Sequence, residues 1–198
     1  MESTHIRESI SNLSNPRHLI ASLITSISTS TNSANTQNPL KSLQLSDKNL
    51  FLTLYALLEK ELLPALDCLD RGLVTRLKVS DRNTSTLYLV RSAQQHHTRH
   101  GTVEKVNYYE VRLVAWSCSC PAFTFSAFPA QASTETENSA CPKEPMLFGG
   151  LTKGSDLAVC KHLLACILVE HCKGFGHFAE EKEISREELA GWAAGWGD

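Results

Sequence analysis

Residues 106–120 read VNYYEVRLVAWSCSC, a run rich in β-branched and aromatic residues that ends in two cysteines separated by one serine. Such a composition favours a β-strand. Side chains two positions apart in a strand point to the same face, so Cys118 and Cys120 can turn toward one point at the end of the strand. The sequence therefore predicts a pair of metal-ligating thiols there.

A second pair follows after 39 intervening residues, at Cys160 and His162. At a helix start, a residue at the cap and one two positions later can converge, because the first turn is not yet committed to helical directions. Zinc takes four thiolate or imidazole ligands in a tetrahedron, and a site filled by four protein ligands is structural. The spacing predicts one structural zinc ion bound by Cys118, Cys120, Cys160 and His162.

The remaining cysteines and histidines near these pairs are predicted to lie outside the site. A single free cysteine is most often a small buried apolar residue. Cys166 follows Cys160 by six residues, about 240° round a helix, and so faces elsewhere. The other residues excluded on position are Cys68, Cys141, His171, Cys172 and His177.

The segments before and after the ligand pairs predict an α+β fold with a small antiparallel sheet and flanking helices. LVTRLKVS at 73–80 and STLYLVRS at 85–92 predict a hairpin around the DRNT turn, and 106–120 adds the third strand. A helix capped by Ser46 or Asp47, with a kink or break at Pro64 and a stop at Gly72, precedes the hairpin.

Farther along the chain, a second helix is predicted from a cap at Ser155 or Asp156 to Gly174, and a short acidic helix from Glu180. Five segments result: a weakly helical, low-complexity arm (1–45), the first helix with the sheet (46–125), a flexible, disordered insert (126–156), the helix that completes the finger (157–175) and an acidic tail (176–198). The insert is expected to be dispensable for folding, because loop-closure entropy grows slowly with length.

The charge balance bears on nucleic-acid binding. The 19 basic and 21 acidic residues give a formal net charge of -2, which argues against a chain that neutralises many phosphates over its whole surface. Residues 71–112 carry eight basic and three acidic side chains. A solvated basic face is the favoured interpretation of this excess, over direct contact with nucleic acid.

The sequence lacks the signals that mark several classes of protein. The seven cysteines and the N-terminus without a signal-peptide layout favour reduced intracellular thiols. No apolar run approaches the roughly 18 residues of a membrane-spanning helix. No Glu stands beside a predicted ligand, and there is no GxxxxGK[ST] loop and no GxSxG turn. The chain is therefore predicted to be non-enzymatic.

The pattern C-x-C, a gap, then C-x-H followed by x-x-Ala resembles the SWIM zinc finger, and it stands here as Cys118, Cys120, Cys160, His162 and Ala165. The surrounding WSCSCPAF (116–123) and CKHLLA (160–165) resemble the SWIM subunits of Shu complexes in particular. The resemblance extends over about residues 48–175, and the long gap before Cys160 departs from it.

The resemblance implies a ββα finger and a nuclear accessory factor of homologous recombination and DNA repair. Such proteins pair with a RecA-like recombinase paralogue and help the strand-exchange recombinase assemble on single-stranded DNA. Most DNA contact would then come through the complex.

Two alternatives remain open at this point. One is a substrate-recognition zinc module of a ubiquitin ligase, although a ligase would need a second set of paired ligands that this sequence lacks. The other is autonomous DNA binding through the basic sheet.

Two apolar stripes, Leu19-Leu23-Ile27 and Trp192-Trp196, are candidates for partner surfaces. The docking face is expected on helix 48–63 and on the N-terminal stripe, with burial of both in the chain's own core as the competing possibility.

Overall fold

The computed structural model describes residues 16–27, 44–79, 87–92, 107–128, 158–172 and 174–196. Within these ranges the chain is mixed α/β, with six α-helices and one five-stranded sheet. The predicted insert lies outside them except for residues 126–128, as do the predicted caps Ser155 and Asp156. The five-segment division of the chain therefore stays a prediction.

The sheet is formed by β1 (Val74–Val79), β2 (Leu87–Arg91), β3 (Tyr108–Arg112), β4 (Ser117–Cys118) and β5 (Ala179–Ile184). Their spatial order is β4-β3-β2-β1-β5. The first four strands pair antiparallel, including the expected hairpin of β1 and β2. The fifth pairs parallel to β1, so the expectation of a purely antiparallel sheet is wrong.

The acidic segment from Glu180 begins as a strand, which corrects the prediction of a short helix there. Acidic residues have moderate helix propensity, but here Glu181 lies beside the basic strand β1 and forms ion pairs with Arg76 and Lys78. These tertiary contacts outweigh local propensity. The helix α6 (Arg186–Ala193) follows, with the Ser185 hydroxyl accepting a hydrogen bond from the Glu188 N–H at its start.

The predicted third strand is also interrupted. Residues 113–116 form a turn, closed by a 3.0 Å hydrogen bond from the Trp116 N–H to the Leu113 carbonyl, and β4 folds back on β3. No Gly, Pro or Asn stands at 113–116 to signal such a turn. A short helix that the sequence did not predict, α4 (Pro121–Ala127), then begins directly after Cys120.

Helices α1 (Pro16–Ser26), α2 (Leu45–Leu57), α3 (Glu59–Asp70) and α5 (Lys161–His171) contribute to the main core on one side of the sheet. The N-terminal segment contributes the buried side chains of Ile20, Ile24 and Ile27 to this core, and Leu23 packs against it. Of the predicted stripe, Ile27 is buried, Leu23 packs against the core and Leu19 is half-buried, which favours the competing possibility that this stripe belongs to the chain's own core. Residues 162–169 of α5 are all buried, as expected for a helix that is apolar on all sides.

The opposite face of the sheet carries a smaller core of Leu77, Leu87, Leu89 and Ile184. Leu189 and Trp192 of α6 pack against it, and the Trp192 ring meets Tyr108 edge-on at 6.2 Å between centroids. Trp192 is thus partly covered within the chain, whereas Trp196 is exposed.

The first predicted helix is divided at Leu58, so the break predicted at Pro64 is misplaced. The second of the two helices, α3, continues through Pro64 to Asp70. The helix also starts after Gln44 rather than at Ser46 or Asp47. It ends as expected at Gly72, whose φ of 59° allows the N–H groups of Gly72 and Leu73 to bond the Leu69 and Cys68 carbonyls.

Candidate metal centre

Four buried side chains from two distant parts of the sequence meet at one end of the sheet. Cys118 lies on β4, Cys120 immediately precedes α4, Cys160 immediately precedes α5, and His162 lies in the first turn of α5. Their ligand atoms all lie within 4.8 Å of one another. The structure therefore brings together the four residues selected from the sequence, and they could hold one metal ion.

The first pair is positioned by the pairing of β3 with β4. Cys118 lies opposite Val111 in the sheet register. Beyond it, the Ser119 N–H donates to the Glu110 carbonyl at 3.0 Å, and the Ser119 hydroxyl accepts from the Glu110 N–H at 2.9 Å. Ser119 is exposed between two buried cysteines, which follows from the alternation of side chains along an extended chain.

Cys120 and Cys160 each cap the N-terminus of a helix. The Cys120 Sγ accepts a hydrogen bond from the Phe123 N–H at 3.3 Å, and the Cys160 Sγ accepts one from the Leu163 N–H at 3.4 Å. Backbone N–H groups and the positive end of the helix dipole both favour a negatively charged sulfur. The helix starts therefore contribute toward the thiolate form, which is the form that binds metals. At Cys160 this contribution is outweighed: the hydrogen bond with Cys118 lowers its pKa, but the hydrogen bond with Cys120 and burial raise it overall, to about 12. Cys160 also replaces the predicted caps Ser155 and Asp156 at the start of α5.

The thiols are also coupled to one another. Hydrogen bonds from Cys118 and then Cys160 lower the pKa of Cys120. The hydrogen bond to Cys120, followed by the one to Cys160, raises the pKa of Cys118. The Cys120 sulfur thus accepts hydrogen bonds from the thiols of both neighbouring cysteines. A cation at the same point would replace those protons.

His162 faces the sulfurs from the helix side. Its Nδ1 lies 3.9 Å from the Cys118 Sγ. The imidazole stacks on the Tyr109 ring, with 4.7 Å between centroids and 28° between planes. Sequence reasoning missed Tyr109 as a residue of the site. It lies two residues before Val111 on β3, and therefore on the same face of the strand as the residue that pairs with Cys118.

The donor set fits a tetrahedral metal site. Zinc–sulfur and zinc–nitrogen bonds of about 2.3 and 2.0 Å place the ligand atoms of a tetrahedron about 3.5 to 3.8 Å apart. The observed 3.9 Å between Cys118 and His162 is close to this separation, and the outer limit of 4.8 Å requires only small side-chain adjustments. All four side chains are buried, as in a closed site.

A second missed residue, Trp116, links the two ligand pairs outside the cluster itself. Its indole N–H donates a 2.8 Å hydrogen bond to the Ala158 carbonyl. Trp116 precedes Cys118 by two residues, and Ala158 precedes Cys160 by two. The sequence shows that Trp116 lies close to Cys118, but it does not reveal the hydrogen bond between Trp116 and Ala158.

The rejected candidates that fall in the described ranges lie outside the cluster. Cys68, Cys166 and Cys172 are buried free thiols, and burial is the main cause that raises the pKa of each. Cys172 donates through its thiol to the Ile24 carbonyl at 3.8 Å, which joins α5 to α1. Cys141 is outside the described residues.

Comparisons with protein-family models, with curated proteins and with solved structures find no match for this chain. Among the residues that the structure describes, no helix has both the length and the apolar character needed to cross a membrane.

Proposed function

We propose that this chain is a non-enzymatic adaptor of the SWIM type, built around one structural zinc ion, which assists homologous recombination together with a RecA-like recombinase paralogue. The observation that carries the proposal is the buried cluster of Cys118, Cys120, Cys160 and His162, whose C-x-C and C-x-H spacing resembles the SWIM pattern. The strand-turn-helix arrangement around the ligands is compatible with a ββα finger.

Zinc is the metal that the donor set favours. Three thiolates and one imidazole are borderline-soft ligands, which suit zinc better than the hard cations magnesium and calcium. Four protein ligands complete a tetrahedron, so the ion would hold β4, α4 and α5 together rather than present a position to a substrate. When bound, it would supply folding energy to this end of the molecule.

The adaptor role is supported by the outer face of α2. Phe51 and Leu54 fill the core on one side of this helix, while Leu45, Leu52 and Leu57 are 75%, 65% and 46% exposed. The exposed side of α2 carries one charged residue, Lys48. Large apolar side chains on the outer side of α2 are thus left uncovered by the part of the chain that the structure describes, and such patches mark protein interfaces. We assign this face, with Leu63 of α3, to the recombinase paralogue.

The charges of the sheet support DNA contact through the complex rather than through this chain alone. Arg76 and Lys78 pair with Glu170 and Glu181, and Arg112 pairs with Glu110. Each of these basic groups is thus partly neutralised within the chain. The assembled complex would then help to load the strand-exchange recombinase onto single-stranded DNA in the nucleus.

The docking face can be tested by a matched pair of variants. Leu52→Glu places a charge on the outer face of α2, and Phe125→Glu places the same charge on α4, where Phe125 is also exposed. Each protein is coexpressed with the recombinase paralogue, and the mass of the purified complex is measured by light scattering. Loss of the complex with Leu52→Glu alone supports the α2 face. Loss with Phe125→Glu alone moves the docking face to the finger.

Single-strand affinity at two salt concentrations tests the adaptor role itself. The complex is expected to bind more tightly than the isolated chain, with a steeper salt dependence, because more phosphates are contacted. A well-behaved monomer that binds single strands as tightly alone as in the complex would refute the adaptor role and favour direct binding through the sheet.

A further inference from the structure

Trp116 adopts a backbone conformation that its side chain makes costly. Its φ is 48°, and among the described residues it is the only one other than glycine with a positive φ. It ends the four-residue turn between β3 and β4, a position that Gly or Asn would fill without strain. A bulky residue persists in this conformation only where surrounding contacts impose it.

The contact that accompanies the strain is made by the indole. Trp116 is 2% exposed, and its indole N–H reaches the Ala158 carbonyl across the interior. Because both groups are buried, loss of the donor would leave the carbonyl without this partner in an apolar setting, which is costly. The left-handed turn thus aims the indole at the chain segment that leads into Cys160.

The hydrogen bond and the metal close the same loop. There are 41 residues between Trp116 and Ala158, and 39 between Cys120 and Cys160. Closing a loop of this length has an entropic cost, which depends only weakly on its length. Once either contact has formed, the other closes at lower cost, so each contact stabilises the other.

We infer that Trp116 is a positioning residue of the metal centre: its hydrogen bond to Ala158 holds the two ligand pairs in register, and metal binding and this contact are thermodynamically coupled. The inference rests on the proposed metal site. It adds a determinant of metal affinity that is not itself a ligand, and the coupling is reciprocal by linkage.

Three single variants of the full chain separate this role from simpler ones. Trp116→Phe keeps an aromatic ring but removes the indole donor. Trp116→Asn suits the left-handed turn better than tryptophan does, so a role in the turn alone would leave metal affinity unchanged or improved. Trp192→Phe is the matched control, because Trp192 packs on the other face of the sheet.

The first readout is the dissociation constant for zinc, measured by competition with a chelator. Trp116→Phe and Trp116→Asn are expected to bind zinc about tenfold more weakly, the scale of effect for groups that orient metal ligands without touching the metal, and Trp192→Phe as tightly as wild type. Wild-type affinity in Trp116→Phe would overturn the inference while leaving the metal site intact. A wild-type chain that binds no zinc would overturn both.

The second readout does not depend on the folding of a Trp116 variant. The chain has three tryptophans, so a Trp192→Phe, Trp196→Phe double variant reports Trp116 alone. Its fluorescence is expected to shift to longer wavelength, and to become more quenchable by acrylamide, when zinc is chelated, and to recover when zinc is restored. Emission that is the same with and without bound zinc would contradict the coupling.

Discussion

Arg76 and Tyr88 are directly opposite each other on β1 and β2, and the Arg76 Nε donates a 2.8 Å hydrogen bond to the Tyr88 hydroxyl. The same guanidinium reaches Glu170 of α5 at 2.7 Å and Glu181 of β5 at 3.2 Å. Tyr88 in turn donates to Glu170, and burial is the main cause that raises the pKa of Tyr88 and keeps it protonated. One basic side chain thus joins three strands and a helix.

Replacing Arg76 with methionine is expected to lower the free energy of unfolding by roughly 2 to 3 kcal/mol, because charge-assisted hydrogen bonds to three groups are lost. Lys78→Met is the matched control on the same strand. Its pair with Glu181 is largely solvent-exposed, so its loss should cost less than about 1 kcal/mol. Urea denaturation of both variants measures the difference, and equal losses would show that Arg76 acts as just another surface charge.

Gly72→Ala is expected to destabilise the chain by about 1 kcal/mol, since alanine at a φ of 59° is strained. An added Cβ at this glycine would meet no atom within 4 Å, so the cost is conformational and not steric. Gly176→Ala has equally open surroundings and no positive φ, and it serves as the control. Thermal melting compares the two variants. A Gly176→Ala loss as large as that of Gly72→Ala would contradict the explanation.

Stability is expected to fall in alkaline solution partly because of Cys172. Burial, and then the charge of Asp47, raises the pKa of this thiol from 9.0 to about 12. The unfolded chain therefore loses this proton first, so stability present below about pH 9 is lost as the pH rises toward 12, by at most about 1.4 kcal/mol per pH unit. Cys172→Ala should flatten this slope in denaturation with a reductant present. The same slope in variant and wild type would assign the effect to other groups.

Each of the two residue pairs that meet in the cluster could be recognised in the sequence because its geometry is local. Residues i and i+2 share a face of a strand, and a helix start lets a cap and the residue two positions later converge. The prediction that the two pairs meet in space, although 39 residues separate Cys120 from Cys160, rested only on the preference of zinc for four such ligands. The structure supplies the physical basis for that approach, with Tyr109 stacked on His162 and Trp116 bonded to Ala158.

The elements that sequence reasoning missed depend on distant partners. The segment AEEKEI at 179–184 becomes a strand because it lies beside the basic strand β1, and nothing within six residues reveals that neighbour. The turn at 113–116 contains no residue typical of turns. Trp116 ends it with a positive φ and forms its indole hydrogen bond with Ala158, 42 positions away. The secondary structure of both segments therefore depends on tertiary contacts, which outweigh local propensity.

The metal content of the purified full chain tests the central claim most directly. One zinc ion per chain is expected, with binding contributing on the order of 10 kcal/mol of apparent folding energy. Cys160→Ala should lose the ion and unfold the segments around the cluster, whereas Cys166→Ala, which removes a buried thiol of α5 outside the cluster, should retain it. A wild-type chain without zinc, or a full complement of zinc in Cys160→Ala, would contradict the assignment of Cys118, Cys120, Cys160 and His162 as the metal centre.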